Sequence, residues 1–327
     1  MSFASEYWLL NSLLFIFGVT ILVKGSDWFV DAAAALARSF KVSELVIGLT
    51  LVSIGTSLPE LASSLCASFY GESDFIIGNI VGSNIANIAL ILGIALLLGG
   101  KMAFARKLIW RDMLFLLLTG LVLMGWFFLG PDMPDGMEYG LGRIGGILLL
   151  IACVVYSWSL IRQPSESQSE GGKEIDMSRC AAAGLIVLAL IMITSGAKLM
   201  VDNVVWFAEK MHISELVISL TVVAIGTSLP ELAVTVSGVL KKREDIALGN
   251  IIGSGIYNIL LIIGCCAAVA PLAGDRSGSL SSMIIMNAVA LLLWIFMLTG
   301  KKLHRWQGGV FFLGYILFII WGVCCIK

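Results

Sequence analysis

Long runs of apolar residues recur along the whole of this chain, and short polar segments separate them. Ten runs can be distinguished, and each is long enough to cross a hydrocarbon layer of about 30 Å as a helix. They lie at about 7–30, 43–69, 74–98, 107–129, 140–161, 180–205, 214–239, 246–270, 280–299 and 306–325. The pattern predicts an all-α membrane protein with ten transmembrane helices, surrounded by the lipid bilayer.

A polar segment at 163–178 divides the chain into two halves, and the halves repeat. SELVIGLTLVSIGTSLPELA at 43–62 matches SELVISLTVVAIGTSLPELA at 214–233, and DFIIGNIVGSNIANI at 74–88 matches DIALGNIIGSGIYNI at 245–259. The offset is 171 residues throughout, without a gap. Each half has five spans, an odd number, so the second half starts on the opposite side of the membrane. We therefore predict two inverted five-helix repeats, at 1–162 and 179–327, joined by a linker at 163–178.

Composition and charge agree with this class of protein and add an orientation. Only 13% of the 327 residues are charged and the net charge is -1, which gives no indication of nucleic-acid binding. Lysine and arginine are concentrated in the segments after spans one, three, five, seven and nine. Basic loops face the cytoplasm, so we expect a multi-pass protein of the cell (inner) membrane with a cytoplasmic linker and both termini outside. No protein partner is evident from the sequence.

Two acidic residues, Glu60 and Glu231, lie near the middle of apolar spans at matching positions of the repeat. A carboxylate there costs at least about 2.5–3.5 kcal/mol, so it indicates a functional site. Each follows a proline, Pro59 or Pro230, that cannot donate a helical hydrogen bond and so favours a local break. Broken backbone inside a membrane is tolerated where it lines a cavity or is buried in protein. The hydroxyls in the same motif belong to Thr56, Ser57, Thr227 and Ser228.

Spans three and eight supply a second set of polar side chains, in the pattern GNxxGSxxxN. Small residues four apart share one helix face and permit close helix approach. The polar residues continuing along that face are Ser83, Asn87, Ser254 and Asn258. They fit either an ion site or hydrogen bonds between helices. Four further residues near the ends of spans one and six, Lys24, Asp31, Lys198 and Asp202, are interpreted as end pairing or snorkelling rather than transport.

The combined oxygen donors are carboxylate, carbonyl, hydroxyl and amide groups, without thiolate or imidazole. This set suits Na+, Ca2+ or Mg2+ and disfavours zinc and copper. No cofactor is expected beyond transported ions. An enzyme is disfavoured: Ser254 in a GSG motif could suggest a membrane hydrolase, but the matching spans offer no histidine partner. A cation channel is also disfavoured, because two inverted repeats in one chain are typical of alternating access.

At GTSLPE and GNxxGSxxxN the sequence resembles the Ca2+/cation antiporter superfamily, in its bacterial sodium/calcium exchanger branch. The resemblance covers the whole chain. It implies Na+/Ca2+ antiport, with Ca2+ held jointly by Glu60 and Glu231 and by backbone oxygens at Thr56 and Thr227. It further implies that spans one and six slide past a fixed core. The Na+ ligands that it implies are Ser57, Ser83, Asn87, Ser228, Ser254 and Asn258.

The chain departs from the family pattern at two places. Several members carry Asp at one of the positions of Asn87 and Asn258, and here both are Asn. Gly255 stands where the first repeat has Asn84. Two fixed charges then balance one Ca2+ or two Na+, which leaves the stoichiometry and any K+ dependence open. The alternative function is H+/Ca2+ antiport, with the two glutamates carrying protons.

Overall fold

Helices make up nearly all of the part of the chain that the computed structural model describes, which is residues 3–129, 140–162, 177–211, 226–273 and 276–325. The first half contains α1 (Phe3–Phe40), α2 (Glu44–Thr56), α3 (Leu58–Phe69), α4 (Ser73–Gly99), α5 (Leu108–Phe128) and α6 (Arg143–Ile161). The second half contains α7 (Arg179–Lys210), α8 (Leu229–Leu240), α9 (Glu244–Val269), α10 (Arg276–Leu298) and α11 (Arg305–Cys325).

Seven helices within these ranges are long and apolar enough to cross a membrane, and the number is eight if the bent pair α2–α3 counts as one span. The protein is thus an all-helical, multi-pass membrane protein. Two predicted segments lie outside the described residues: nearly all of the linker at 163–178 and the part of span seven at 214–225.

The predicted end of span one at residue 30 is wrong, because α1 continues to Phe40. The segment beyond Asp31 is a run of alanines, of which Ala32, Ala33 and Ala34 are fully buried. Alanine has the highest helix propensity, and burial against neighbouring helices supports the extra turns.

Helices α1 and α7 form an antiparallel pair through closely packed glycines. A Cβ at Gly18 would lie 3.0 Å from the Cβ of Leu199, and one at Gly25 would lie 2.9 Å from the Cβ of Met192. Rising numbers on α1 thus meet falling numbers on α7, so the helices run in opposite directions. Close approach of this kind is driven by packing and is typical of membrane helices.

The other helices also pack across the two halves. Gly48 of α2 lies against Gly249 of α9, where a Cβ at Gly249 would be 2.8 Å from the Cα of Gly48. A Cβ at Gly253 would be 2.2 Å from the Oγ of Ser53. The close approach predicted for span eight is therefore confirmed. The second-half positions that match Gly48 and Ser53, which are Ser219 and Ala224, lie outside the described residues, so close approach at Gly78 and Gly82 stays a prediction.

Two short antiparallel strand pairs join loops of opposite halves. Strand β1 (Lys101–Ala103) pairs with β4 (Lys302–His304), and Met102 lies opposite Leu303. Strand β2 (Gly140–Leu141) pairs with β3 (Leu272–Ala273). The main hydrophobic cluster likewise draws on both halves, with members such as Ile80, Leu92, Ile251 and Tyr257. The buried interior therefore forms only when the halves come together.

Candidate cation-binding site

The membrane-spanning helix of the first half is interrupted at its GTSLPE motif. Helix α2 ends at Thr56 and α3 begins at Leu58, with a bend of 47° between them. The backbone at Ser57 has φ -85° and ψ 8°, and at the matching Ser228 it has φ -91° and ψ 5°. Pro59 and Pro230 lie in the first turn of α3 and α8, where a missing N–H is tolerated. The predicted break is confirmed in the first half, and Ser228 at the start of α8 has nearly the same backbone geometry.

The two predicted glutamates lie directly after these breaks. Glu60 and Glu231 occupy the first turns of α3 and α8, and each is 1% exposed. The partial positive charge at a helix N-terminus stabilises a carboxylate in that position. A cation bound by both carboxylates would compensate the hydration that each loses on burial.

Hydrogen bonds tie Glu231 to the broken helix of the other half. The Oγ of Ser57 donates to Oε1 of Glu231 at 3.0 Å. The Oγ1 of Thr56 donates to Oδ1 of Asn250 at 3.1 Å, and Nδ2 of Asn250 donates to the carbonyl oxygen of Glu231 at 3.4 Å. The first-half break and the second-half carboxylate thus form one hydrogen-bonded unit.

Several buried oxygen atoms of the predicted ligands form no hydrogen bond with any of the described residues. Buried polar groups are almost always paired, so seven unpaired oxygens among the predicted ligands indicate that they serve another partner. All of them are hard oxygen donors that suit alkali and alkaline-earth cations. These atoms are Glu60 Oε2, Glu231 Oε2, Thr227 Oγ1, Ser228 Oγ, Ser254 Oγ, Asn87 Oδ1 and Asn258 Oδ1.

Asn87 and Asn258 lie at wide, π-helical turns within α4 and α9, at Ala86–Leu92 and Asn258–Ile263. Such turns occur frequently at functional sites. Nine of the ten predicted ligands are buried, namely Thr56, Ser57, Glu60, Ser83, Asn87, Ser228, Glu231, Ser254 and Asn258. The tenth, Thr227, is half-buried and lines a cavity.

Two asparagine–hydroxyl pairs, which were not predicted from the sequence motifs, brace the glutamate helices. Nδ2 of Asn79 donates to the Oγ of Ser64 at 3.2 Å, and Nδ2 of Asn250 donates to the Oγ1 of Thr235 at 3.1 Å. The signal was present, because each hydroxyl lies one turn after a glutamate and both pairs obey the offset of 171 residues. The pairs connect α3 to α4 and α8 to α9, which fixes each glutamate helix against its neighbour.

The two ends of the α1–α7 pair differ in how they meet the core. A cavity of about 480 Å³ lies between α7 and the α3 side of the site, and Thr227 is part of its lining. Its other lining residues include Ala62, Thr194, Lys198 and Asp202. The cavity therefore reaches the two prolines of the repeated motif, Pro59 and Pro230, and one predicted ligand, Thr227.

At the opposite end, ionic contacts close α1 against the end of α8. Nζ of Lys241 lies 2.6 Å from Oδ2 of Asp31 and donates to the carbonyl oxygen of Asp27 at 2.8 Å. The Oγ of Ser237 donates to Oδ1 of Asp27 at 2.6 Å. End pairing of Asp31 is confirmed. We call these four residues the latch; the antiparallel register puts it about 24 Å from Asp202 along the helices.

The described residues contain no group of three or more His, Cys, Asp or Glu side chains that could hold a metal ion. The candidate site therefore consists of two carboxylates and neutral oxygens. The family model for "Sodium/calcium exchanger protein" matches residues 10–162 and 181–323. The chain belongs to the sodium/calcium exchanger protein family.

Individual relatives are similar to this chain over most of their own length. "Sodium/calcium exchanger MaX1" of Methanosarcina acetivorans is 37% identical, covering 95% of this chain and 97% of the relative. "Inner membrane protein YrbG" of Escherichia coli is 37% identical, covering 88% of this chain and 89% of the relative. A solved structure of the sodium-calcium exchanger NCX_Mj, soaked with 10 mM Na+ and zero Ca2+, superposes with a TM-score of 0.81 at 32% identity. It covers 98% of this chain and 99% of that one.

Proposed function

We propose that this chain is a secondary antiporter that exchanges Na+ for Ca2+ across the cell membrane by alternating access. The observation that carries the proposal is the pair of buried carboxylates, one from each half, amid buried oxygens with no hydrogen-bond partner in the described chain. The names of its relatives support the choice of ions. The ten predicted ligands are proposed to bind the transported ions, with Ca2+ between Glu60 and Glu231.

Charge balance favours competition between the two ions. Two carboxylates neutralise one Ca2+ or two Na+, whereas a third Na+ would leave net positive charge in a low-dielectric interior, which is costly. Ca2+ and Na+ therefore exclude each other from the same oxygens. A shared site of this kind gives exchange rather than independent transport.

The asymmetry between the two ends of the α1–α7 pair supports alternating access. With both termini outside, the cavity beside Asp202 opens to the exterior and the latch closes the cytoplasmic side. Transport then requires the α1–α7 pair to slide, so that the latch opens as the cavity closes. The closely packed glycines hold the pair together as one moving body.

The finer architecture belongs to the same proposal. Ten spans in two inverted five-helix repeats, at 1–162 and 179–327, are supported by the paired motifs, the matching breaks at Ser57 and Ser228 and the antiparallel α1–α7 packing. The basic loops support an inner-membrane location with the linker at 163–178 in the cytoplasm.

Uptake of radioactive Ca2+ into proteoliposomes tests the function. Vesicles loaded with Na+ and diluted into Na+-free buffer should accumulate Ca2+, whereas K+ or pH gradients of equal size should not drive uptake. Loss of uptake in Glu60→Gln or Glu231→Gln would connect the flux to the site. Glu72→Gln is the matched control for these variants, because it removes an exposed acid at the start of α4. Uptake that follows only the pH gradient would replace Na+/Ca2+ exchange with H+/Ca2+ exchange.

A further inference from the structure

Asn84 of α4 connects the two halves next to the candidate site. It is 4% exposed, and its matching position in the second half is Gly255 of α9. Nδ2 of Asn84 donates to the carbonyl oxygen of Gly255 at 3.2 Å and to Sδ of Met286 at 3.6 Å. Oδ1 of Asn84 accepts a hydrogen bond from Nδ2 of Asn258 at 3.0 Å.

These bonds fix the orientation of two amide groups in turn. A carbonyl oxygen and a thioether sulfur can only accept, so Asn84 must direct Nδ2 towards Gly255 and Met286. Oδ1 of Asn84 then faces Asn258, which must donate to it from Nδ2. The oxygen of Asn258 is thereby turned away from Asn84, where it is buried and has no hydrogen-bond partner among the described residues.

The matching amide in the first half is held differently. Neither Oδ1 nor Nδ2 of Asn87 has a hydrogen-bond partner in the described ranges. The second-half residue corresponding to Asn84 is glycine, which has no side chain to orient Asn87. A Cβ at Gly255 would lie 3.0 Å from Cδ1 of Leu116, so a larger residue there is tightly restricted. One of the two matching amides is thus held in place and the other is not.

We propose that Asn84 is a positioning residue that holds the side-chain oxygen of Asn258 towards the cation site. The proposal rests on the proposed function, in which Asn258 is a Na+ ligand. A rotated amide would present N–H groups to the cation and repel it, so an unoriented Asn258 would bind Na+ more weakly. Asn84 therefore favours Na+ at the second-half side of the site without touching the ion.

A double-mutant cycle tests this role, because Asn258→Asp makes both ends of the side chain oxygen and removes the need for orientation. Ca2+ binding to purified protein is measured by calorimetry at a series of Na+ concentrations. In the wild-type background, Asn84→Ala should raise the Na+ concentration that halves Ca2+ binding about 5- to 10-fold, as expected for the loss of one buried hydrogen bond. In the Asn258→Asp background, the same change should raise it less than about twofold. Ca2+ affinity without Na+ should change less than about twofold in either case.

Asn287→Ala is the matched control. Asn287 lines the same small cavity as Asn84, but its Nδ2 donates to the carbonyl oxygen of Met283 in its own helix. It should leave Na+ competition unchanged. If Asn84→Ala does not fold, Asn84→Ser serves instead, because the serine hydroxyl lies one bond nearer the backbone than Oδ1 of Asn84 and does not reach Asn258.

An equal effect of Asn84→Ala in both backgrounds, or no effect in the wild type, would overturn the positioning role. A loss of Ca2+ affinity as large as the loss of Na+ competition would show a merely structural role and overturn it as well. These binding measurements do not depend on flux. A failure of Na+-driven uptake in vesicles would therefore count against the proposed exchange alone.

Discussion

The latch offers the most direct test of how access to the site is controlled. Lys241→Met keeps the aliphatic stem and removes the charge that contacts Asp31 and the carbonyl oxygen of Asp27. Because the latch closes one end of the site while the cavity opens the other, the substitution should favour the state with the latch open. We therefore expect less access from the exterior.

The magnitude follows from the contact distances. Unit charges 2.6 Å apart attract by about 6 kcal/mol at an effective dielectric constant near 20. Lys241 and Asp31 are 27% and 31% exposed, so water screens the pair and competes for both groups. We expect a net loss of about 1–2 kcal/mol, which includes the bond to the Asp27 carbonyl. The equilibrium between the two states should then shift about 5- to 30-fold.

Labelling of Ala62→Cys from outside measures this shift. Ala62 is exposed and lines the cavity, so an impermeant maleimide should reach it in the outward-open state. In a background without the native cysteines, Lys241→Met should slow labelling about threefold or more if the two states start near equal populations. Lys241→Arg should label at the parental rate, and so should Lys24→Met, which removes an exposed charge from α1. Parental labelling of a correctly inserted Lys241→Met protein would refute the latch.

Three further outcomes are expected. Glu60→Gln and Glu231→Gln should each weaken Ca2+ binding at least about tenfold by calorimetry, since each removes one of the two negative charges that hold the divalent ion. Ser83→Ala should act mainly on Na+ competition. Near-normal Na+-driven flux in both glutamine variants would contradict the shared site. Gly253→Ala should destabilise the protein by about 1–3 kcal/mol and lower its melting temperature, because the new Cβ would lie 2.2 Å from Ser53 Oγ. Gly314→Ala, at an exposed position, should leave the melting temperature unchanged. A cysteine at Ser167 should resist an impermeant reagent applied from outside, and rapid labelling there would reverse the proposed orientation.

The sequence singled out the candidate site residues because their placement violates the usual chemistry of a membrane span. A glutamate and a proline inside an apolar run stand out against their surroundings, and the duplication showed that both were retained twice. The break at Ser57 could be predicted for the same reason, since Pro59 removes a specific hydrogen bond. The donor types followed from the composition of the motifs.

Contacts between distant segments could not be predicted in this way. The partnership of Lys241 with Asp31 depends on how α1 leans on the end of α8, and neither residue has an unusual local context. The length of α1 was misjudged because the charge of Asp31 resembles the end of a span, whereas a lysine from another helix compensates it. The orienting role of Asn84 depends on the direction of a carbonyl group at Gly255, which side-chain patterns do not contain.

The shared interior has a consequence for the two halves as separate molecules. Because the main hydrophobic cluster and both strand pairs of the described residues draw members from each half, each half depends on the other to cover its buried side chains. Co-expression of 1–162 and 179–327 as two polypeptides should yield a stable complex, whereas each fragment alone should be degraded. A gene encoding a single unit, before its duplication, would have worked only if two copies met in the membrane. Fusion into one chain then ensured that every half was made with its counterpart.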